Sequence, residues 1–369
     1  MTALRTGDTI GILGGGQLGR MLAMGAAQLG LQTLIFAPEE ESPAAQVAAG
    51  CIRADYTDLD ALSEFAACCQ AVTFEFENVP KTSLEVLVGK VPLRPGIMAL
   101  EKTQDRLIEK RFLEGLGLSV APYRPVDTLN DLTDAFDALG RDAILKTRRF
   151  GYDGKGQVNL KRGSGDCAQA WSAVAPAPSV LEARVPFLCE VSAIVARGKD
   201  GEAVVYDVPQ NTHSGGILQT SSVGSFATTQ LSPSVYDEAR TAAVAVAEGL
   251  DHVGVLAVEF FVLDSDSGQT LIVNEVAPRV HNTGHWTLDA CAISQFENHI
   301  RAVAGWPLGA TQRHSDAMMT NLIGEDIAQA QAALAEPQNA VHVYGKTEVR
   351  PGRKLGHLTR LSSLTQSAL

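Results

Sequence analysis

Two apolar segments in the second half of the chain each carry one carboxylate. Val255–Val262 contains Glu259, and Thr270–Val276 contains Glu275 next to Asn274. A charged carboxylate is costly to bury without a partner, and these segments offer few cations to pair with it. Two such carboxylates on adjacent strands therefore predict a hard-cation site for Mg²⁺, with Mn²⁺ as a second possibility. A pair of buried salt bridges is the alternative interpretation.

A basic, glycine-rich segment follows a short predicted strand in the middle of the chain. Ala143–Lys146 ends in a lysine, and Thr147–Phe150 leads into the loop Gly151–Gln157, with the sequence GYDGKGQ. Alternating glycines beside lysines and arginines favour a flexible lid over a polyphosphate. A hairpin turn with charged flanks is the alternative.

Acidic residues on the next two predicted strands could bind a nucleoside. Glu182 lies in Ser179–Val185, and Glu190 lies in Leu188–Ser192. Their carboxylates could accept hydrogen bonds from an adenine amine and from ribose hydroxyls. The polar loop Pro278–His285 follows the second apolar strand directly, so it should lie beside the predicted cation site.

The N-terminal segment has the pattern of strand, glycine turn, helix and strand. Thr9–Leu13 and Gln32–Phe36 are the predicted strands, which should pair in parallel, and Gly14–Gly19 reads GGGQLG. That motif fits the phosphates of a dinucleotide at a helix N-terminus. However, the second strand runs into Ala37 without the acid that would hold a ribose. A tight turn that packs helix on sheet is the alternative.

A third predicted strand of this region, Ala71–Phe74, runs directly into Glu75 and Glu77. The two-residue period of a strand places both carboxylates on one face. Because α/β sheets bind ligands at the carboxyl ends of their strands, we expect at least one of them to be functional. Prolines and a glycine at 92–96 then predict a boundary before a helix that contains Lys102–Leu116.

Length and composition exclude several classes of protein. The 369 residues are 45% hydrophobic and 20% charged, which predicts two or three globular domains. No apolar run approaches the roughly 18 residues of a membrane span. The net charge of −12 disfavours nucleic acid or an anionic membrane as a partner. Six cysteines without a CxxC pair, and no visible secretory signal, predict reduced thiols in the cytoplasm.

Taken in order, the motifs resemble the ATP-grasp superfamily and, within it, the N5-carboxyaminoimidazole ribonucleotide synthetases of purine synthesis. The segments that carry the resemblance are GGGQLGR, FEFENV, EKTQDRLIEKRFL, ILKTRRFGYDGKGQ, EARV, FLCEVS, the strand with Glu259, NEVAPRVHNTGHWT and YGKTEVRPGRKLGH. The resemblance implies a mixed α/β fold of three domains. These would be a Rossmann-like pre-ATP-grasp domain (1–102), an ATP-grasp domain with a lid (103–300) and a small β-rich C-terminal domain (301–369).

The resemblance also implies an activity. An ATP-dependent ligase would carboxylate 5-aminoimidazole ribonucleotide (AIR) with bicarbonate, through carboxyphosphate, and release ADP and phosphate. The family resemblance further implies a homodimer. A nicotinamide oxidoreductase, based on the GxGxxG motif, and a non-catalytic nucleotide sensor are the alternative functions.

Roles for individual residues follow from the resemblance position by position. The ATP-binding residues would be Arg106, Lys146, Gly151, Tyr152, Asp153, Gly154, Lys155, Gly156, Gln157, Glu182, Ala183, Arg184, Val185, Glu190, His213, Asn274 and Glu275. The AIR-binding residues would be Gln17, Leu18, Glu75, Tyr152, Asp153, Arg279, His281, Asn282, Lys346, Arg353 and Lys354. The metal ligands would be Glu259 and Glu275. The catalytic residues would be Asp153 as base for the amine proton, Lys346 as anion holder and Arg279 as phosphoryl stabiliser.

The most basic stretch of this acidic chain is Lys346–Lys354, with four cations in nine residues. Such runs are often solvated turns. Here Pro351-Gly352 is expected to fold Arg353 back toward Lys346. Convergent donors of this kind would suit the dianionic 5′-phosphate of AIR.

Overall fold

The computed structural model describes residues 3–151, 154–163 and 165–365. The strands are β1 Thr9–Leu13, β2 Gln32–Phe36, β3 Gly50–Ile52, β4 Ala71–Phe74, β5 Tyr123–Val126, β6 Ala143–Thr147, β7 Gln157–Leu160, β8 Ser179–Ala183, β9 Cys189–Arg197, β10 Ala203–Val205, β11 Gln210–Ser214, β12 Ile217–Val223, β13 Gly254–Ser265, β14 Gly268–Ala277, β15 Ser315–Ile323, β16 Asn339–Val343 and β17 Lys354–Ser363. The α-helices are α1 Gln17–Gln28, α2 Leu59–Ala67, α3 Lys81–Val88, α4 Ile97–Thr103, α5 Arg106–Gly115, α6 Leu129–Leu139, α7 Cys167–Ala173, α8 Pro233–Gly249, α9 Thr287–Ala290, α10 Gln295–Ala304 and α11 Gln329–Ala333.

The N-terminal region is a parallel sheet with strand order β3-β2-β1-β4. The predicted parallel pairing of β1 with β2 is confirmed, in register from Thr9↔Gln32 to Leu13↔Phe36. Apolar side chains of β1 and one face of α1 are buried together in the core. The carboxyl end of β4 therefore delivers Glu75 to the same edge of the sheet as the glycine turn after β1.

A small antiparallel sheet has the order β5-β8-β6-β7, and α6 and α7 pack against it. It carries Lys146 on β6 and Glu182 on β8, and the glycine-rich loop joins β6 to β7. A capping box between Thr128 and Asp131 starts α6.

The large sheet has the order β14-β13-β9-β11-β12-β15-β17-β16, with β10 also paired to β9. The predicted adjacency of the two apolar strands is confirmed, because β13 pairs with β14 and sets Glu259 opposite Glu275. The C-terminal strands continue this sheet through the β12–β15 pairing. The sheet therefore does not separate them from the central region, and the boundaries at 102 and 300 stay predictions.

The single helix predicted around Lys102–Leu116 is wrong, because the chain forms two helices there, α4 and α5. Asp105 lies between them as the N-cap of α5, and its carboxylate accepts hydrogen bonds from the amides of Leu107 (3.0 Å) and Ile108 (3.4 Å). This break places Arg106 in the first turn of α5, a position that matters for the site.

A buried histidine joins the N-terminal sheet to the large sheet. His299 on α10 makes a 2.7 Å hydrogen bond through Nε2 to Thr73 Oγ1 on β4. Its Nδ1 accepts a 3.0 Å hydrogen bond from the amide of Val255 on β13.

Among the described residues, no helix has the length and apolar character needed to cross a membrane.

Candidate active site

The glycine turn after β1 encloses a carboxylate. The amide of Gly16 donates a 2.6 Å hydrogen bond to Glu75 Oε1. A Cβ at Gly14 would lie 2.5 Å from Glu75 Cγ, and one at Gly16 would lie 2.8 Å from Glu75 Oε1. Burial raises the pKa of Glu75, although the Gly16 amide opposes the rise. The sequence motif suggested a phosphate contact, but the structure gives this amide to a side chain of the same chain.

The second glutamate after β4 meets the loop after β14. Glu77 Oε1 lies 2.9 Å from Arg279 Nε. Burial raises the pKa of Glu77 despite this cation, and Glu275 acts in the same direction. Glu77 therefore lies close to the carboxylate pair of the predicted cation site, and Arg279 connects it to the loop after β14.

Arg106 is held at the start of α5 by an ion pair beneath it. Arg148 binds Asp105 through two nitrogens, with Nη2 2.8 Å from Oδ2, and the Arg148 carbonyl accepts a 3.0 Å hydrogen bond from the Arg106 amide. Arg106 Nη1 in turn lies 3.0 Å from Glu275 Oε2. The salt-bridge alternative therefore holds for one of the two strand carboxylates, and its cation comes from a helix distant in sequence.

Lys146 and Glu182 form a buried ion group with a third residue, Lys110 of α5. Lys146 Nζ lies 2.9 Å from Glu182 Oε2, and Lys110 Nζ lies 3.3 Å from Oε1. Burial alone would raise the pKa of Glu182, but the two lysines lower it to about 2. Burial lowers the pKa of Lys110. The Glu182 side chain is thus engaged by cations, so nucleoside contacts at the predicted hinge would have to come from its backbone and its neighbours.

The remaining hinge residues extend the pairing of β8 with the segments before β5 and β6. The amide of Ala183 donates to the carbonyl of Pro122, and the amide of Arg184 donates to that of Asp142, both at 2.8 Å. Ala183 is buried, Arg184 is exposed and Val185 is half-buried.

Glu190 and His213 lie on neighbouring strands, β9 and β11, and form an ion pair between Glu190 Oε2 and His213 Nδ1. Burial disfavours a charged His213, but Glu190 raises the pKa of the imidazole. A cavity of about 310 Å³ beside this pair is also lined by Phe187, Gln210 and Phe226. The structure thus brings together two predicted nucleotide-site residues at a cavity lined by residues of β9, β11 and β12 and of the loops beside them.

The pKa values of the paired carboxylates on β13 and β14 are shifted in opposite directions. Burial and the opposing Glu275 raise the pKa of Glu259 to about 7. Burial would also raise the pKa of Glu275, but Arg106 lowers it below its ordinary value. Asn274 hydrogen-bonds the Glu259 carboxylate, and its Oδ1 is buried with no hydrogen-bond partner among the described residues. Two carboxylates and an unpartnered amide oxygen are a suitable donor set for Mg²⁺.

The loop after β14 is anchored by buried amides. His281 Nε2 lies 3.5 Å from Glu259 Oε1. Asn282 exchanges two hydrogen bonds with Asn321 of β15, at 3.0 and 2.9 Å. Gln295 hydrogen-bonds the backbone amide and carbonyl of His281, at 2.9 and 2.6 Å. The predicted AIR-binding loop therefore faces the carboxylate pair and is fixed from two sides.

The glycine-rich loop lies over the same region. Gly154 and Gly156 have φ values of +76° and +69°, which residues other than glycine rarely adopt. A Cβ at Gly154 would lie 2.7 Å from the carbonyl oxygen of Gly215, so the loop packs closely on the turn between β11 and β12. Gly151 accepts a 3.5 Å hydrogen bond from Arg106 Nη2. Lys155 is exposed, Gln157 begins β7, and Tyr152 and Asp153 lie outside the described residues.

The C-terminal basic segment lies near Glu75 and near the loop after β14. Lys346 Nζ donates a 2.9 Å hydrogen bond to the carbonyl of Lys354, and the Lys346 cation opposes the rise that burial causes in the pKa of Glu75. Lys354 is among the cations that depress the pKa of His281. Arg353 Nη1 lies 3.0 Å from Glu348 Oε2, so a neighbour in the same segment binds its guanidinium.

Gln17 is the half-buried first residue of α1, beside the glycine turn, whereas the side chain of Leu18 is buried in the core. Any ligand contact from Leu18 would therefore have to come from its backbone.

A second group of possible metal ligands, Asp289, His342 and His357, lies away from the carboxylate pair. His342 Nε2 is hydrogen-bonded to both Asp289 oxygens, at 3.0 and 3.1 Å. The imidazoles of His342 and His357 stack with centroids 4.5 Å apart and planes 13° apart. Since the nitrogen lone pairs lie in these nearly parallel planes, they do not converge on one ion.

Several buried site residues were missed from the sequence. They are Glu109, Lys110, Gln295 and Asn321. Lys110 and Glu109 lie in a helical pattern that reads as an ordinary charged helix face, and only the packing of α5 against the two sheets reveals their burial. Gln295 had a local signal, since it follows the N-cap Ser294, but nothing in the sequence connects its amide with His281.

Comparison with known protein families agrees with this architecture. An ATP-grasp domain model matches residues 111–296, a ribonucleotide synthetase preATP-grasp domain model matches residues 8–104, and a phosphoribosylaminoimidazole carboxylase C-terminal domain model matches residues 317–369. Fold and site together define an ATP-grasp protein, as the sequence resemblance predicted.

Relatives along the whole chain narrow this class. The chain is 51% identical to the N5-carboxyaminoimidazole ribonucleotide synthase of Brucella melitensis, covering 99% of both chains, and 40% identical to that of Bacillus subtilis, covering 96% of this chain and 91% of the relative. A crystal structure of an N5-carboxyaminoimidazole ribonucleotide synthetase with ADP superposes with a TM-score of 0.92 at 41% identity, covering 98% of this chain and 94% of the other. The Aspergillus clavatus synthase in complex with ADP and 5-aminoimidazole ribonucleotide superposes with a TM-score of 0.89 at 29% identity, covering 97% and 95%. The chain belongs to the N5-carboxyaminoimidazole ribonucleotide synthase family.

Proposed function

We propose that this chain uses ATP to activate bicarbonate as carboxyphosphate and transfers the carboxyl group to AIR. Its family membership makes it an ATP-dependent ligase that carboxylates AIR in purine synthesis. One observation supports the chemical proposal most directly: side chains from the predicted ATP site and from the predicted AIR site meet at the carboxylate pair of Glu259 and Glu275. Arg106 reaches Glu275 from the nucleotide side, and His281 faces Glu259 from the opposite loop.

The proposed cation site consists of Glu259 and Glu275, with Asn274 beside them. Its support is the direct pairing of the two carboxylates across β13 and β14 and the unpartnered Asn274 oxygen. A bound Mg²⁺ would offset the negative charge of the ATP phosphates.

Phosphoryl transfer would rely on positioning and charge. A bicarbonate oxygen attacks the γ-phosphorus of ATP, and the bond to ADP breaks. Lys146 and Arg106 would bind the phosphates, and Arg279 would stabilise the group in transfer. Lys146 and Arg106 already lie against acidic partners of the site, so their positions are set by the fold.

Carboxyl transfer would follow in the same cleft. The new carbon–nitrogen bond forms at the exocyclic amine of AIR, the carbon–oxygen bond of carboxyphosphate breaks, and phosphate leaves. The amine loses one proton, for which Asp153 is the proposed base. Lys346 would hold the anionic group that is transferred or released. The roles of Asp153 and Lys346 rest on the family resemblance.

Carboxyphosphate hydrolyses readily, so the site must exclude water during the reaction. The loop Gly151–Gln157 is the proposed lid. The positive φ values of Gly154 and Gly156 and the contact of Gly154 with the β11–β12 turn support this role, because they let the loop lie close to the large sheet.

A homodimer is a further proposal that rests on the family resemblance, and a cytoplasmic location is one that rests on the cysteine pattern of the sequence. Light scattering after size-exclusion chromatography measures the first directly, and a mass of one chain would contradict it.

The experiment that tests the function is phosphate release from ATP with each substrate omitted in turn. The proposed reaction requires ATP, bicarbonate and AIR together for full turnover. An absorbance change with NADH and no ATP turnover would favour the oxidoreductase alternative. ATP binding without turnover in the complete mixture would favour the nucleotide sensor.

A further inference from the structure

We propose that Gln295 is a positioning residue for the AIR side of the site, acting by holding His281 in place against Glu259. Gln295 is the first residue of α10, and its side chain is fully buried. Its Oε1 accepts a 2.9 Å hydrogen bond from the His281 amide, and its Nε2 donates a 2.6 Å hydrogen bond to the His281 carbonyl. One side chain thus fixes both backbone polar groups of His281.

The direction of the His281 imidazole follows from this clamp. With the backbone fixed, Nδ1 meets Thr283 Oγ1 at 2.9 Å, and Nε2 lies 3.5 Å from Glu259 Oε1. The Gln295 amide also lies 3.3 Å from His285 Nδ1. Gln295 therefore sets the geometry of one loop residue and braces a second.

The clamp has a rigid base. The Gln295 backbone amide donates a 3.0 Å hydrogen bond to Thr287 Oγ1, which itself donates a 2.6 Å hydrogen bond to the Gly284 carbonyl. A Cβ at Gly284 would lie 2.8 Å from Gln295 Cδ, so the loop packs tightly over the amide. Phe296, the next residue, is buried in the core. The loop is therefore held by hydrogen bonds to α10, and hydrophobic packing fixes the position of that helix.

Loss of the clamp should affect AIR more than ATP. His281 belongs to the loop proposed to bind AIR, whereas Arg106 and Lys146 are held by other contacts. A misplacement of about 1 Å at a reacting centre can lower a rate by roughly 10²-fold. This part of the inference rests on the proposed function, whereas the clamp itself does not.

The test uses Gln295→Met, which keeps the volume and removes both hydrogen bonds. The matched control is Asn298→Leu on the same helix. Asn298 is also fully buried and brackets the backbone of Gly309, accepting from its amide at 2.7 Å and donating to its carbonyl at 3.2 Å, away from the site. Gln295→Glu keeps an acceptor for the His281 amide and serves as the conservative variant.

Two measurements are made on all variants and on the wild type. Hydrogen exchange of the peptide containing His281 should accelerate in Gln295→Met and stay at the wild-type rate in Asn298→Leu. The kcat/KM for AIR should fall about 10- to 100-fold in Gln295→Met. It should fall less in Gln295→Glu and stay within about two-fold in the control. The KM for ATP should change by less than about two-fold in each variant.

The outcomes separate the inference from the function. If exchange at His281 is the same in Gln295→Met and wild type, the clamp is refuted whatever the activity. If the AIR and ATP parameters of Gln295→Met change by the same factor, or only thermal stability falls, Gln295 has a general structural role and the inference is wrong. A wild type without AIR-dependent turnover would refute the proposed function and the AIR role, while the exchange result would still decide whether Gln295 holds His281.

Discussion

His299 provides a quantitative test of how the N-terminal sheet is joined to the strand that carries Glu259. Its Nδ1 accepts from the Val255 amide, so the proton of the neutral ring lies on Nε2 and is donated to Thr73 Oγ1. A second proton would have to replace the hydrogen bond from Val255. Burial and the neighbouring His252 lower the pKa of His299 to about 3, from an ordinary value of 6.5.

The sign and size of the effect follow from this pKa. Between pH 6.5 and about 3, the unfolded chain binds a proton at this position and the folded chain does not. Acidification therefore destabilises the fold by ~1.4 kcal/mol per pH unit below 6.5. At pH 5 the loss from His299 alone is about 2 kcal/mol.

The perturbation is His299→Gln, which removes the titrating group. At pH 7 the variant should be less stable than the wild type by roughly 1–3 kcal/mol, because buried hydrogen bonds are lost. Between pH 7 and pH 5 this difference should shrink by about 2 kcal/mol. The reason is that only the wild type has a histidine here that binds a proton in the unfolded chain and not in the folded chain. Urea unfolding at both pH values measures the difference, and other titrating groups cancel between the two proteins. A difference that does not change with pH would refute the lowered pKa of His299.

Three further predictions concern the site. Glu259→Gln or Glu275→Gln should abolish magnesium-dependent turnover while the far-ultraviolet circular dichroism is retained, because each removes an anionic ligand; activity within a few-fold of wild type would exclude the metal site. Lys110→Met should destabilise the fold by roughly 3–5 kcal/mol in urea unfolding and raise the KM for ATP, since the hinge carboxylate loses one of its two buried cations; unchanged stability would contradict the buried ion group. Arg353→Ala should raise the KM for AIR by the equivalent of about 1.5–3 kcal/mol, with the more exposed Arg350→Ala as control; a change in the ATP parameter alone would assign the segment to the nucleotide.

Local patterns predicted the strands well. The parallel pair at the N-terminus and the pairing of the two apolar strands follow from alternation, turns and chain connectivity, and the structure has both. The meeting of Glu259 with Glu275 is a consequence of that pairing. It could be expected from sequence because each carboxylate is conspicuous in an apolar strand.

The helix break and the cation partners could not be predicted in the same way. Asp105 starts α5 because its carboxylate caps that helix and binds Arg148, a residue 43 positions away. The cation that meets Glu275 likewise comes from Arg106, 169 positions away. The strands themselves contain no cation that could pair with Glu275, because the partner comes from a helix that only tertiary packing places beside them.

The glycine turn shows that a motif can be recognised from sequence while the side chain that it contacts is not predicted. Gly14 and Gly16 leave room for the Glu75 side chain, and the Gly16 amide donates to its carboxylate. The spacing of the glycines indicates that another group packs closely on the backbone, but it does not identify that group as a side chain or a ligand.

The central claim is that ATP phosphorylates bicarbonate before the carboxyl group reaches AIR, and oxygen labelling tests it most directly. Bicarbonate labelled fully with ¹⁸O is given to the enzyme with unlabelled ATP and AIR in unlabelled water. The reaction is stopped before the bicarbonate exchanges its oxygens with the water, and the released phosphate is analysed by mass spectrometry. If carboxyphosphate forms, one bicarbonate oxygen stays on phosphorus when the carbon–oxygen bond breaks, so each phosphate released with product should carry one ¹⁸O atom. Phosphate without ¹⁸O, formed together with carboxylated product, would show that the γ-phosphoryl group never reached bicarbonate and would contradict the proposed reaction.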